Sequence, residues 1–184
     1  MKEQFNKLMQ KTIWCVIVLF CLRCFISWDD VIHNFSVYDL FGFAGEAISL
    51  ATLFSIAYER WLWKLNPFES TPALFKKYTG ILISSYNGVE SSAELEIKQT
   101  LLTIQITLIT IESKSKSMSS SIDDILGEKI LTYCFLNTPN ANVRDRSQIH
   151  YGTAMLCVDN PRKLTGQYFT DRKTIGDMKF DVIT

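Results

Sequence analysis

Histidine is scarce in this chain: 184 residues hold two, His33 and His150. The hydropathy pattern places one on each side of a bilayer, so the pair cannot build a His-rich metal site, and no metal is expected. Catalytic signatures are missing too. There is no G-x-S-x-G, no H-E-x-x-H, no P-loop and no Rossmann fingerprint. Ser113, Ser115 or Ser117 could be combined with His150 and an acid into a hydrolytic triad, but nothing in their spacing supports it, and an enzyme is not expected. There is no net charge, with 19 basic against 19 acidic residues. Within 78–184 the balance is eleven basic to twelve acidic, which argues against long nucleic acid as a partner. The five cysteines, at 15, 21, 24, 134 and 157, are an odd number without framework spacing, which argues against a disulfide scaffold and fits a reducing compartment. Cys21 and Cys24 form a C-x-x-C, but inside an apolar run, with no second pair and no β-α-β context.

Two long apolar runs are what the first third does contain. Residues 12–28, TIWCVIVLFCLRCFISW, are broken by Arg23 alone, and 40–58, LFGFAGEAISLATLFSIAY, by Glu46 alone. A cleaved signal peptide would fit the basic start, yet no clear cleavage site follows and a second apolar run comes directly after. Two spanning helices are the better reading. Lys2, Lys7 and Lys11 precede the first helix; Asp29, Asp30 and Asp39 fill the loop; Arg60, Lys64, Lys76 and Lys77 follow the second. Both ends are therefore expected in the cytoplasm. Trp14, Trp28, Trp61 and Trp63 fall near the helix ends, as an interfacial aromatic belt requires. Arg23 and Glu46 lie at similar depth in an antiparallel hairpin. They either pair or snorkel separately to the interface. Small residues at spacing four in the second run (Gly45 and Ser49, Ala47 and Ala51, Ala51 and Ser55) suit close helix approach.

A linker, 59–77, carries Pro67 and Pro72, which interrupt helical structure. From residue 78 onward strands and turns alternate, with strands expected at about 78–86, 92–99, 101–112, 114–122, 128–137, 149–159, 163–171 and 173–183. Asn87-Gly88, Asp123-Asp124 with Gly127, the 137–142 stretch around Pro139, and Asp159-Asn160-Pro161 mark turns. Eight consecutive short strands predict an up-and-down antiparallel β-barrel, with a two-sheet sandwich as the alternative. The stretch 101–121, LLTIQITLITIESKSKSMSSS, keeps a period of two throughout. Leu102, Ile104, Ile106 and Leu108 share one face. Further on Ser113, Ser115, Ser117 and Ser119 share one, with Lys114, Lys116, Met118 and Ser120 between them. Such a row of hydroxyls is either a solvated edge or the polar lining of a cavity. Gln99, Tyr133, Asn137, His150, Tyr168, Thr170 and Arg172 are polar or aromatic residues inside otherwise apolar strands. Arginine with aromatic rings is what nucleotide recognition needs, bidentate donors for phosphate and a surface for the base.

Five ordered segments carry a family resemblance: IKQT (97–100), ESKSKSMSS (112–120), LTYCFLN (131–137) followed by Pro139, HYGTA (150–154), and GQYFTDR (166–172) with Gly176. Together with two preceding helices they resemble, over nearly the whole chain, the two-transmembrane, β-strand-rich effectors associated with cGAS/DncV-like nucleotidyltransferases in CBASS antiphage systems. Members often carry a tryptophan near the start of the first strand and another after the IKQT-like segment; here Tyr78-Thr79-Gly80 and Leu101-Leu102 stand there. The resemblance implies a hairpin in the bacterial inner membrane (1–58) and a cytoplasmic barrel (78–184) that binds a cyclic dinucleotide made by a partner nucleotidyltransferase. It further implies oligomerisation on binding, disruption of the membrane by the helices and death of the infected cell, with no cofactor. The ligand contacts it implies are hydroxyls of Ser113, Ser115 and Ser117, rings of Tyr133 and Tyr168, and polar groups of Asn137, Thr170 and Arg172. With closure of the barrel, it turns the serines inward and Lys114 and Lys116 outward. The alternative is a hairpin-anchored, lipocalin-like barrel that carries a lipid or acts as an enzyme.

Overall fold

The computed structural model describes residues 2–27, 36–85, 88 and 90–183. Trp28, Asp29, Asp30, His33 and Asn87 lie outside the described residues. The chain forms two compact units, Met1–Pro67 and Phe68–Thr184.

The first unit is a helical hairpin. Helix α1 (Lys2–Ile26) starts ten residues before the apolar run, because residues 2–11 contain no glycine or proline to stop it. Helix α2 (Val37–Arg60) is capped by Ser36, whose hydroxyl accepts from the Tyr38 N–H. Both are long and apolar enough to cross a membrane. Three side-chain pairs fix them antiparallel: Lys11 Nζ donates to Tyr58 OH at 3.0 Å, Thr12 and Ser55 share a hydroxyl bond at 2.7 Å, and Arg23 Nε donates to Glu46 Oε2 at 2.8 Å. Ala47 and Ala51 are buried in the seam, so this small-residue stripe serves packing inside the hairpin, while Gly45 and Ser49 face outward. Trp14 and Trp61 are exposed, as an interfacial belt requires, but Trp63, in the 3-10 turn Leu62–Leu65, is buried.

The Arg23–Glu46 pair is further fixed by Ser27, whose hydroxyl accepts from Arg23 at 2.6 Å, and by the Phe43 ring, 4.6 Å from the guanidinium. An unpaired charge in hydrocarbon would be costly. Arg23→Glu and Glu46→Arg should each lower the thermal midpoint of the protein in lipid nanodiscs, and the double reversal should recover most of the loss. Additive losses would mean that the two side chains act separately.

The second unit is a closed up-and-down barrel of eight antiparallel strands. They are β1 (Lys77–Ser84), β2 (Glu90–Gln99), β3 (Ile104–Thr110), β4 (Ser113–Ile125), β5 (Glu128–Pro139), β6 (His150–Cys157), β7 (Lys163–Thr170) and β8 (Ile175–Val182). Pairing of β1 with β8, from Tyr78↔Val182 to Ser84↔Gly176, closes the sheet and rules out the sandwich. Period-two alternation sends Leu95, Ile106, Leu131, Leu156, Leu164 and Phe180 inward to a dry core. Strand β3 begins at Ile104 rather than 101, because Thr100 and Thr103 close a turn through their hydroxyls and Leu101 is buried in it.

One end of the barrel is sealed. The Tyr78 hydroxyl donates to Pro161 O at 2.7 Å and accepts from the Phe75 N–H at 3.0 Å. Gln99 receives the Leu74 N–H on its side-chain oxygen and donates to Pro72 O. Residues 72–75, read from sequence as linker, thus lie across the barrel end where β1 begins. Gln99, a candidate for recognition in the sequence, is a strut of that floor.

Strand β4 breaks its own periodicity. A bulge lies between Ser117, opposite Phe135, and Ser119, opposite Cys134. Beyond it the faces exchange: Ser120 and Ile122, opposite Tyr133 and Leu131, turn inward and Ser119 turns out. The expectation that Ser119 shares the face of Ser113, Ser115 and Ser117 is therefore corrected. At the bulge Ser117 Oγ accepts the Ile106 N–H at 2.9 Å, replacing a ladder bond that the irregularity removes. Ser117→Ala should therefore cost about 1–2 kcal/mol in chemical denaturation of the solubilised protein, with ligand affinity unchanged. A stable variant that loses affinity would instead assign the hydroxyl to binding.

Candidate functional site

The interior changes character along the barrel axis. Near the floor it is filled by apolar side chains. At the other end, where β1, β3, β5 and β7 finish, hydroxyls replace them: Ser84, Ser91, Thr110, Ser113, Thr170 and Thr174 ring the opening. Small side chains leave space that Leu or Phe would fill, so the barrel opens into a cavity with two overlapping lobes. The outer lobe has a volume of about 380 Å³ and the inner one about 270 Å³. This is the range of small-molecule sites.

Six of the eight sequence-predicted residues come together here. Ser113, Ser115, Asn137, Tyr168, Thr170 and Arg172 all line the inner lobe. Ser115 is 3 % exposed and sits opposite Asn137, whose buried side-chain oxygen has no hydrogen-bond partner. A buried acceptor left unpaired costs about 1–3 kcal/mol unless something else satisfies it. Ser113 and Thr110 share a hydroxyl bond at 3.0 Å, and Thr170 and Thr174 another at 2.6 Å; both pairs stiffen the turns at the rim. Arg172 Nη1 donates to Ser147 Oγ at 3.1 Å, with Gln148 O at 3.5 Å and His150 Nδ1 at 3.4 Å. Because His150 Nδ1 lies 2.9 Å from Gln148 O, that nitrogen carries the proton and donates there, and Arg172 depends on Ser147 instead.

Ser117 and Tyr133 are not in the cavity lining. Ser117 is engaged at the bulge. Tyr133 is 1 % exposed, one inward position deeper on β5 than Phe135, with its hydroxyl unpartnered. Burial pushes its phenol well above the usual tyrosine value. Sequence reasoning missed Phe135, Glu112 and Ser147. Phe135 could have been found from parity, since it lies two residues from Asn137 on the inward face of β5. Glu112 at the rim is held by Arg146 from the β5–β6 connection at 2.5 Å. The same connection is tied down by Asn140, whose N–H donates to Glu112 O and whose amide donates to Ile111 O.

A closed barrel with one sealed end, one polar mouth, a cation at its rim and ring surfaces within it suits a receptor for a small polar ligand. Comparison with known proteins narrows the class. The family described as "Cap15, cyclic dinucleotide receptor domain" matches residues 70–181, and the chain belongs to that family of CBASS effectors. It is also 29 % identical, over 191 residues covering 97 % of each chain, to "CD-NTase-associated protein 15" of Staphylococcus schleiferi. The match begins at 70, ahead of the first strand, and so takes in the segment that seals the floor.

Proposed function

We propose that the polar mouth of the barrel binds a cyclic dinucleotide made by a partner nucleotidyltransferase during phage infection. Binding drives oligomerisation of the chain, and α1 and α2, set in the bacterial inner membrane with both chain ends cytoplasmic, then disrupt the bilayer and kill the cell. The observation that carries this reading is the inner lobe, in a chain of the Cap15 family. It brings hydroxyls, an unpaired amide oxygen, a ring and an arginine into one blind cavity. Those groups answer to the parts of a nucleotide: donors and charge for phosphate, a surface and an acceptor for a base. A lipid carrier would need an apolar lumen, and here the apolar half is filled by its own side chains. Titration of the solubilised full chain with a panel of cyclic di- and trinucleotides tests the reading. Saturable binding by at least one member is expected, and silence across the panel by folded protein would overturn it.

A further inference from the structure

Two aromatic rings of the inner lobe share an arrangement that the residue types alone do not disclose. Phe135 on β5 stands opposite Gly152 on β6, and Tyr168 on β7 stands opposite Gly176 on β8. The two pairs occupy adjacent strand pairs and are offset by one inward position, since Gly152 stands opposite Thr170 and Tyr168 opposite Ala154. A Cβ placed on Gly152 would meet Phe135 Cε2 at 2.8 Å, and one on Gly176 would meet Tyr168 Cε1 at 2.6 Å. Each ring thus extends sideways over the bare backbone of its neighbour and lies along the barrel wall. The pairing is the known one in which an aromatic side chain covers a strand glycine. Phe135 is 4 % exposed and packs against the Tyr133 ring at 5.9 Å on its deep side, and Tyr168 is half-buried. Both rings line the same cavity.

We propose that Phe135 and Tyr168 are paired stacking platforms, one for each base of the bound dinucleotide. The inference rests on the binding reading above and deepens it by adding Phe135 to the site. Phe135 has no polar atom, so a face is all that it can offer. Base stacking on an aromatic side chain is tolerant of base identity; the pair recognises the presence of two bases, and the polar groups around them choose which. A side chain at 152 or 176 would meet backbone as well as the ring, Phe169 O at 2.8 Å from a Cβ on Gly152 and Ile83 O from one on Gly176, so both positions need glycine and each ring takes the space that glycine leaves.

The test uses the full chain in detergent and two kinds of probe. A panel of cyclic di-GMP, cyclic di-AMP and cyclic UMP–AMP reports affinity, and the best binder remade with 2-aminopurine in place of one base reports stacking by quenching of its fluorescence. Phe135→Leu and Tyr168→Leu should each weaken binding roughly ten-fold and relieve part of the quenching, while Tyr168→Phe keeps both. Thermal melts identify any variant that fails to fold, and Tyr168→Leu tests the pair through the more exposed ring if Phe135→Leu is lost. Wild-type affinity and wild-type quenching in a folded leucine variant would remove that ring as a platform while leaving messenger binding in place. A wild-type chain that binds no probe would overturn both this inference and the binding reading.

Discussion

Removing residues 1–67 should abolish killing and leave messenger binding unchanged. The boundary is where the chain divides into its two units. The lining of the inner lobe begins at Leu82, so the cut touches none of it. The floor also survives, because the segment that seals it starts at Pro72. A cut at 78 is expected to behave differently. It deletes buried Leu74, worth about 1.5–3 kcal/mol, and with it the bonds from Leu74 N–H to Gln99, from Gln99 to Pro72 O and from Phe75 N–H to Tyr78 OH, each worth about 1 kcal/mol. For a domain of this size the combined loss is on the order of 20 °C in melting temperature. Calorimetry of the two fragments measures that difference. Growth of cells expressing each fragment with an active messenger source measures killing. A toxic, soluble 68–184 fragment would point to an activity of the barrel itself and against membrane disruption by the helices.

The Arg23–Glu46 pair shows what sequence discloses well. Each residue interrupts its apolar run at nearly the same distance from the loop, so antiparallel packing alone brings them together. The barrel's strands are legible for a similar reason: eight period-two segments and their turns are local signals, while the choice between barrel and sandwich is made by the long-range pairing of β1 with β8. Depth inside the barrel is not a local signal. Tyr133 and Phe135 share one face of β5, and only the register of the closed sheet places Phe135 in the cavity and Tyr133 in the core. Nor is the bulge in β4 legible. Serine stands on both faces from 119 to 121, so no side-chain chemistry marks the position where parity changes. Gln99 shows a third limit: a polar residue in an apolar strand looks the same in sequence whether it awaits a ligand or braces a backbone segment 25 residues away.

Arg172→Ala should weaken messenger binding by about ten- to hundred-fold, the loss expected for one charged hydrogen bond of about 1.5–3 kcal/mol. The size follows from how charge is distributed around the mouth. Among the described residues that line the inner lobe, Arg172 is the one arginine or lysine. Of the two arginines of the β5–β6 connection, Arg146 is committed to Glu112 in a pair of little net charge and Arg144 donates to Pro139 O, and neither lines the inner lobe. A phosphodiester entering the cavity therefore depends on Arg172, which Ser147 holds at the rim with donors to spare. Arg172→Lys should recover only part of the loss, because an ammonium keeps the charge but not the fork that meets two phosphate oxygens. The two variants also separate charge from shape. If the guanidinium meets phosphate, the wild-type affinity falls with rising salt, and the alanine variant has a shallower dependence. Isothermal titration at two salt concentrations reads both effects. Unchanged affinity in Arg172→Ala would take Arg172 out of the site and leave the hydroxyls and backbone of the rim to hold the phosphates.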